Sequence, residues 1–158
     1  MIIVYCPDRA RMAKTREKKE VTLETIMWNC RVALRNKCSK AANRDAVLAL
    51  VFLKFAGDKF EQRQKEIIDE NGENPIFPEK TSFYQAKNIF YLSEKSRWTY
   101  IVMNASQDDT AILLDQALAD IEEKNSSLKG ALPQRFFSSL GVSKNEIKAL
   151  IDEINENL

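Results

Sequence analysis

Apolar residues recur along most of this chain at steps of three and four, the spacing that gathers them on one side of an α-helix. From Val21 to Lys37 the sequence carries Leu23, Ile26, Met27, Cys30, Ala33 and Leu34 in that rhythm, with Thr22 placed to cap the start. Trp28 lies beside this face, and Arg31, Arg35 and Lys37 point mostly elsewhere. Ser39 to Asn43 reads as a polar turn, after which Asn43 or Asp45 caps a second helix running to about Glu70. That helix closes in Asn71-Gly72-Glu73-Asn74-Pro75, where Asn-Gly supplies the left-handed conformation that ends helices. Its apolar run is dense: Ala46 to Leu53 without a break, then Phe55, Ala56 and Phe60. A helix apolar nearly all round belongs in the middle of a bundle, with partners on more than one side. The helical wheel groups Val47, Leu48, Val51, Phe52 and Phe55 on one broad face and puts Leu50 and Leu53 on the other side. It also sets Asp58 between Val47 and Val51 with Lys54 beside it, a charged pair that is costly within an apolar face unless satisfied.

The second half is more broken. Pro75 and Pro78 bracket a connector, residues 80–87 predict a short helix, and Asn88-Ile-Phe-Tyr-Leu92 predicts an extended segment laid across the bundle. Ser93 is placed to cap a helix running through Trp98 to about Ala105. Asp108 or Asp109 then opens an amphipathic helix with Ile112, Leu113, Ala117, Leu118 and Ile121 inside, Asp120, Glu122 and Glu123 outside, and Asn125 at its end. After a turn at Leu128 to Pro133 and a short aromatic segment at Phe136-Phe137, a last helix carries Ile147, Leu150, Ile151 and Ile154. Ser143 and Glu146 stand three apart before it, as in a capping box. These elements predict an all-α fold: a compact bundle of five or six helices with one short extended crossing segment. Residues 1–19, interrupted by Pro7 and mostly charged from Asp8 onward, predict a loosely ordered basic leader ahead of a helical domain over residues 20–158.

Composition narrows the function more than the fold. The net charge of +1 conceals a split: residues 1–65 hold 15 Lys/Arg against 7 Asp/Glu, and residues 66–158 hold 9 against 16. Such a split suits a basic surface for an anionic partner and an acidic one for something else, or simply two faces of one helical domain. Three cysteines (Cys6, Cys30, Cys38) without CxxC spacing, and no histidine, disfavour a structural zinc site and read as reduced, cytosolic thiols. No transmembrane span is expected. No residue pattern for catalysis emerges: there is no glycine-rich phosphate loop, and Glu122 and Glu123, 100° apart on a helix, read as a solvated face. Asn74-Pro75-Ile76-Phe77 is one residue away from the Asn-Pro-Pro-Tyr/Phe motif of amino-methylating DNA methyltransferases, but it lacks the second proline and a preceding strand, and reads as a helix-ending turn.

The basic residues Arg31, Arg35, Lys37, Lys40, Arg44, Lys54, Lys59, Arg63 and Lys65 fall in the first two helices and the turn between them. Facing one phosphate backbone, they would make a strongly salt-dependent DNA contact. Otherwise they are an ordinary solvated face with i,i+4 pairs such as Glu61–Lys65.

Four stretches resemble one family. Met27-Trp-Asn-Cys-Arg-Val-Ala-Leu-Arg35, Val51-Phe-Leu-Lys-Phe-Ala-Gly-Asp-Lys-Phe-Glu61, Phe90-Tyr-Leu-Ser-Glu94 with Arg97-Trp98, and Ala117 to Asn125 with Leu128-Lys-Gly130 stand in the order of its motifs. The family is the N-terminal helical domain of the modification (methyltransferase) subunit of type I restriction–modification systems. Asn36 and Ser93 depart from it, standing where the family usually has Gly and Pro. The resemblance implies a following catalytic domain that binds S-adenosylmethionine and methylates adenine N6. The chain, ending at Leu158, is then expected to be a piece of a longer subunit and non-catalytic alone. It implies double-stranded DNA, a specificity subunit and a second modification subunit as partners, in the cytoplasm. Arg31, Arg35, Lys37, Lys40, Arg44, Lys59 and Arg63 are the candidates for the DNA- or subunit-facing surface. Lys54 and Asp58 belong to the matched signature and are expected to form a structural polar pair, with Arg31 or Arg35 as other possible holders of Asp58. The competing reading is a free-standing helical module that binds protein.

Overall fold

The computed structural model describes residues 21–72 and 76–158, so the leader and the Asn74-Pro75 step lie outside the described residues. Helix α1 (Leu23–Ala33) begins where the Thr22 hydroxyl accepts from the Thr25 amide, and it buries Ile26 and Cys30. It ends short of Lys37 because the backbone turns at Asn36, whose φ of 65° is a left-handed value that asparagine tolerates and glycine adopts freely. This explains why Asn can stand where the family resemblance has Gly.

Ser39, rather than Asn43 or Asp45, caps α2 (Lys40–Asn71) by accepting from the Ala42 amide. What reads as a polar turn in the sequence is therefore the helix's own first turn. Asn43 instead donates its side-chain amide to the Arg31 carbonyl at 2.9 Å, tying the end of α1 to the start of α2. Gly72, at φ 74°, closes the helix as expected. At about 1.5 Å per residue, its 32 residues span about 48 Å.

Helix α2 is central but not wrapped on all sides. Ala46, Leu50, Leu53, Phe60 and Ile67 are buried, whereas Leu48 is 46% and Phe55 58% exposed. The core face is thus the one carrying Leu50 and Leu53, and the broad face read from the wheel is half open. Packed along α2 are α1, α3 (Thr81–Gln85), α4 (Trp98–Met103) and α7 (Lys144–Asn157). The remaining helices are α5 (Thr110–Lys124) and α6 (Phe136–Ser139), which makes the described residues an all-α bundle of four long and three short helices.

Two elements differ from the periodic reading. The helix expected from Ser93 to Ala105 is split into a 3-10 turn at Glu94–Ser96 and α4, with Arg97 extended between them (φ −75°, ψ 143°). Ser93 does not cap it. Its hydroxyl and that of Ser96 both donate to the Asp120 carboxylate, which pulls this turn onto α5. On α5 it is Leu114, not Ile112, that is buried; Ile112 is half exposed. Helix α7 follows its pattern, with the Ser143–Glu146 capping box formed and Ile147, Leu150, Ile151 and Ile154 buried.

Residues 89–93 make the extended crossing. The Tyr91 amide donates to Asn125 Oδ1 and the Tyr91 carbonyl accepts from Asn125 Nδ2, both at 2.9 Å. One side-chain amide thereby does for this backbone what a neighbouring strand would do. Tyr91 and Tyr84 pack their rings on Phe60 of α2, the Tyr84 ring stacked at 4.6 Å and the Tyr91 ring edge-on at 5.7 Å.

Helices α2 and α4 approach closely at Gly57. A Cβ on Gly57 would lie 2.6 Å from the Trp98 Cβ and 3.1 Å from the Trp98 amide nitrogen. Gly57→Ala gains helix propensity, up to about 1 kcal/mol, but must push α4 outward, at about 1–3 kcal/mol for an overpacked core. The variant should therefore unfold at lower urea concentration than the parent chain. A midpoint equal to or above the parent's would contradict this seating of α4.

Candidate functional site

Where α1 hands over to α2, the chain leaves a groove of about 350 Å³. Trp28, Arg31, Val32 and Arg35 line one side at helical steps, and Cys38, Lys40 and Asn43 line the other. Arg31, Arg35 and Lys40 are exposed, and no carboxylate of the described residues pairs with them. The groove also opens at the start of α2, whose unpaired backbone N–H groups and helix dipole add partial positive charge. Three free cations at a helix N-terminus make the electrostatic footprint of a phosphate-contacting surface.

The other basic candidates are not brought together here. Lys37 Nζ sits 2.8 Å from Glu146 Oε1 at the start of α7, so its charge is spent inside the molecule. Lys37 holds the Glu146 carboxyl below the usual carboxylate range, helped by the Ser143 amide and hydroxyl. In return Glu146 raises the Lys37 ammonium. Arg44 is exposed and pairs with Asp45 next to it at 2.9 Å. Lys59 stands 19 residues beyond Lys40, about 28 Å along α2, with its ammonium 5.8 Å from the Phe55 ring centre.

Arg63 has to be withdrawn from the contact surface. Its side chain is only 4% exposed, its Nε donates to the Phe83 carbonyl, and its Nη1 reaches Glu66 and Glu70. The i,i+3 and i,i+7 carboxylates and the carbonyl from α3 neutralise a guanidinium that is largely enclosed and stands apart from the groove.

Lys54 donates to both carboxylate oxygens of Asp58, at 2.6 and 2.7 Å, and neither Arg31 nor Arg35 bonds Asp58. Asp58 is about half exposed while the Lys54 side chain is largely covered. The charges therefore sit at the margin of the core face rather than inside it, because the core face is the opposite one, and the desolvation cost is small.

One polar residue read from sequence as surface is structural, and so is a second on the same helix. Glu122 accepts from the Gly130 and Leu132 amides and from Gln134, so it is no mere solvated face; the Gly130 amide above all keeps its carboxyl below the usual range. Asp115, buried on α5, accepts from the Phe137 and Ser138 amides and the Ser138 hydroxyl, capping α6. Burial pushes the Cys30 thiol up to about 11, with Glu153 adding to it, which makes that cysteine unreactive. Among the described residues there is no cluster of metal-ligating side chains, and no helix is long and apolar enough to cross a membrane. Trp28 was legible only as a residue beside the core face; its 59% exposure within a cationic groove is new information.

Comparison with known proteins gives two matches. A family model described as the HsdM N-terminal domain matches residues 23–154. The chain is also similar to the type I restriction enzyme MjaIX methylase subunit of Methanocaldococcus jannaschii, at 26% identity over 146 residues. That alignment covers 84% of this chain and 26% of the relative, so the chain spans about a quarter of the relative's length.

The Lys37–Glu146 tie sets a pH dependence. Glu146 has a depressed carboxyl pKa in the fold, so its contribution is present above the ordinary value of 4.5 and is lost as pH falls through the depressed value. Glu146→Gln should melt lower than the parent at neutral pH and show a shallower loss of Tm on acidification through that window. Parallel Tm–pH curves would mean the tie does not act on stability.

Proposed function

Because the chain belongs to the HsdM N-terminal domain family, we propose that it is the DNA- and subunit-contacting domain of a type I modification subunit, helping to assemble the complex around double-stranded DNA. The observation that carries this reading is the trio Arg31, Arg35 and Lys40, exposed and unpaired among the described residues, at one groove. Phosphate contacts of this kind position a protein on DNA without reading sequence. That suits a domain whose target would be chosen by a specificity subunit. Adenine-N6 methylation and the S-adenosylmethionine it consumes belong, on this reading, to the rest of the subunit, and a second modification subunit completes the cytoplasmic assembly.

The second reading, a free-standing module that binds protein, has one observation of its own. Leu48 and Phe55 project from α2 with Phe52 half-buried between them, an apolar stripe beside the Gly130–Pro133 loop. In the first reading this stripe is the subunit-facing side.

Binding of a labelled duplex, followed by anisotropy over a salt series, separates the candidates. Three phosphate contacts predict a log–log slope of roughly −2.7, and Arg35→Ala should reduce its magnitude by about 1. Lys59→Ala, remote from the groove, should leave the slope unchanged. A slope that ignores Arg31, Arg35 and Lys40, or no duplex binding at low salt, would sink the assignment.

A further inference from the structure

We propose that the groove between α1 and α2 is a site for one unstacked nucleotide, with its base on the Trp28 indole and its phosphate between Arg31, Arg35 and Lys40. This rests on the reading of the cationic face as a nucleic-acid surface and names what that surface takes. Phosphate contact alone requires only cations. Here the same groove carries an indole that is 59% exposed, one turn of α1 from Arg31, with Arg35 in the turn that follows the helix. Val32 and the half-buried Cys38 add apolar surface beneath it. An aromatic face beside clustered cations is the arrangement that holds single-stranded nucleic acid, because every base has a π-face and every nucleotide a phosphate. Paired bases keep their faces inside the duplex, so Trp28 can stack only on a base that has left it.

The inner wall of the groove does not add a contact to a particular base. Asn43, only 8% exposed, lines the groove, and its Oδ1 is a buried polar atom with no hydrogen-bond partner. Its Nδ2 is committed to the Arg31 carbonyl, so the amide cannot flip without losing that bond. An acceptor without a donor is costly when buried. That oxygen has no accessible surface, so a base in the groove does not reach it, and an unpaired thymine offers an N3–H donor just as adenine offers its amine. The groove therefore takes a base through its π-face on Trp28, without selecting among bases. The nucleotide can come from a separated DNA strand or from a free mononucleotide; the chemistry is the same, and the test distinguishes them.

The intact chain is titrated with oligo(dA) and oligo(dT) dodecamers, a short duplex and dAMP, following tryptophan emission and, for labelled strands, anisotropy. Trp98 is buried, so quenching reports Trp28. Oligo(dA) and oligo(dT) should both quench, because either base can stack on the indole. Trp28→Ala should weaken single-strand binding about tenfold and abolish the quench, with a much smaller effect on the duplex, and Trp28→Phe should recover most of the affinity. Trp28 is exposed, so both variants should keep the parent's circular dichroism and Tm. Quenching by dAMP as tight as by the strand assigns the groove to a free nucleotide; quenching by the strand alone assigns it to DNA. Strands that bind without quenching, or a Trp28→Ala loss equal for strand and duplex, overturn the nucleotide site while the backbone-contact reading stands. If neither strand nor duplex binds, both readings fail.

Discussion

The seating of Trp98 against Gly57 is the contact on which the bundle depends. With no Cβ at Gly57, α4 comes down onto α2, and the Trp98 indole N–H reaches Asn155 of α7 at 2.9 Å. Three helices are thereby fixed around one aromatic side chain. Once α2 is held on that side, its Leu50 and Leu53 face is consumed by core, and its Leu48 and Phe55 stripe is left outside. Which surfaces of the domain remain available follows from this one close approach.

Helix α5 organises the second half through polar groups instead. Asp115 caps α6, Asp120 gathers the hydroxyls of Ser93 and Ser96, Glu122 holds the 130–132 turn, and Asn125 pairs with the Tyr91 backbone. Each satisfies amides or hydroxyls that have no helix or strand to satisfy them. Asp115, Asp120 and Glu122 are therefore spent on holding loops. The basic excess of the first half is divided too, with Lys37 paired at the surface, Arg63 enclosed, and Arg31, Arg35 and Lys40 exposed and unpaired among the described residues.

This division marks how far the sequence was readable. Local features were legible: the Thr22 cap, the Ser143–Glu146 capping box and the α7 stripe are all set within a few residues of one another. The all-α class was legible from the same periodicity, and the family from four ordered motifs that the match over residues 23–154 agrees with. The inner face of α2 was not, because a helix apolar nearly all round has no periodic contrast to show which side is covered. Roles set by distant partners were also hidden. Nothing around Arg63 reveals that the Phe83 carbonyl, twenty residues on, will take its Nε, and nothing around Glu122 reveals the turn at Gly130. Trp28 was legible as lying beside the core face, but nothing near it in the sequence tells how far its indole stands out into a groove.

The central claim is that the cationic end of the α1–α2 hairpin, and not the acidic or apolar surfaces, meets nucleic acid. Amide chemical-shift mapping of the isotope-labelled chain with a short duplex tests it most directly. The account predicts perturbations concentrated between Trp28 and Arg44, with little change along α5 and α7. Perturbations centred on the Leu48–Lys59 stripe or on the second half, with residues 28–44 silent, would contradict it.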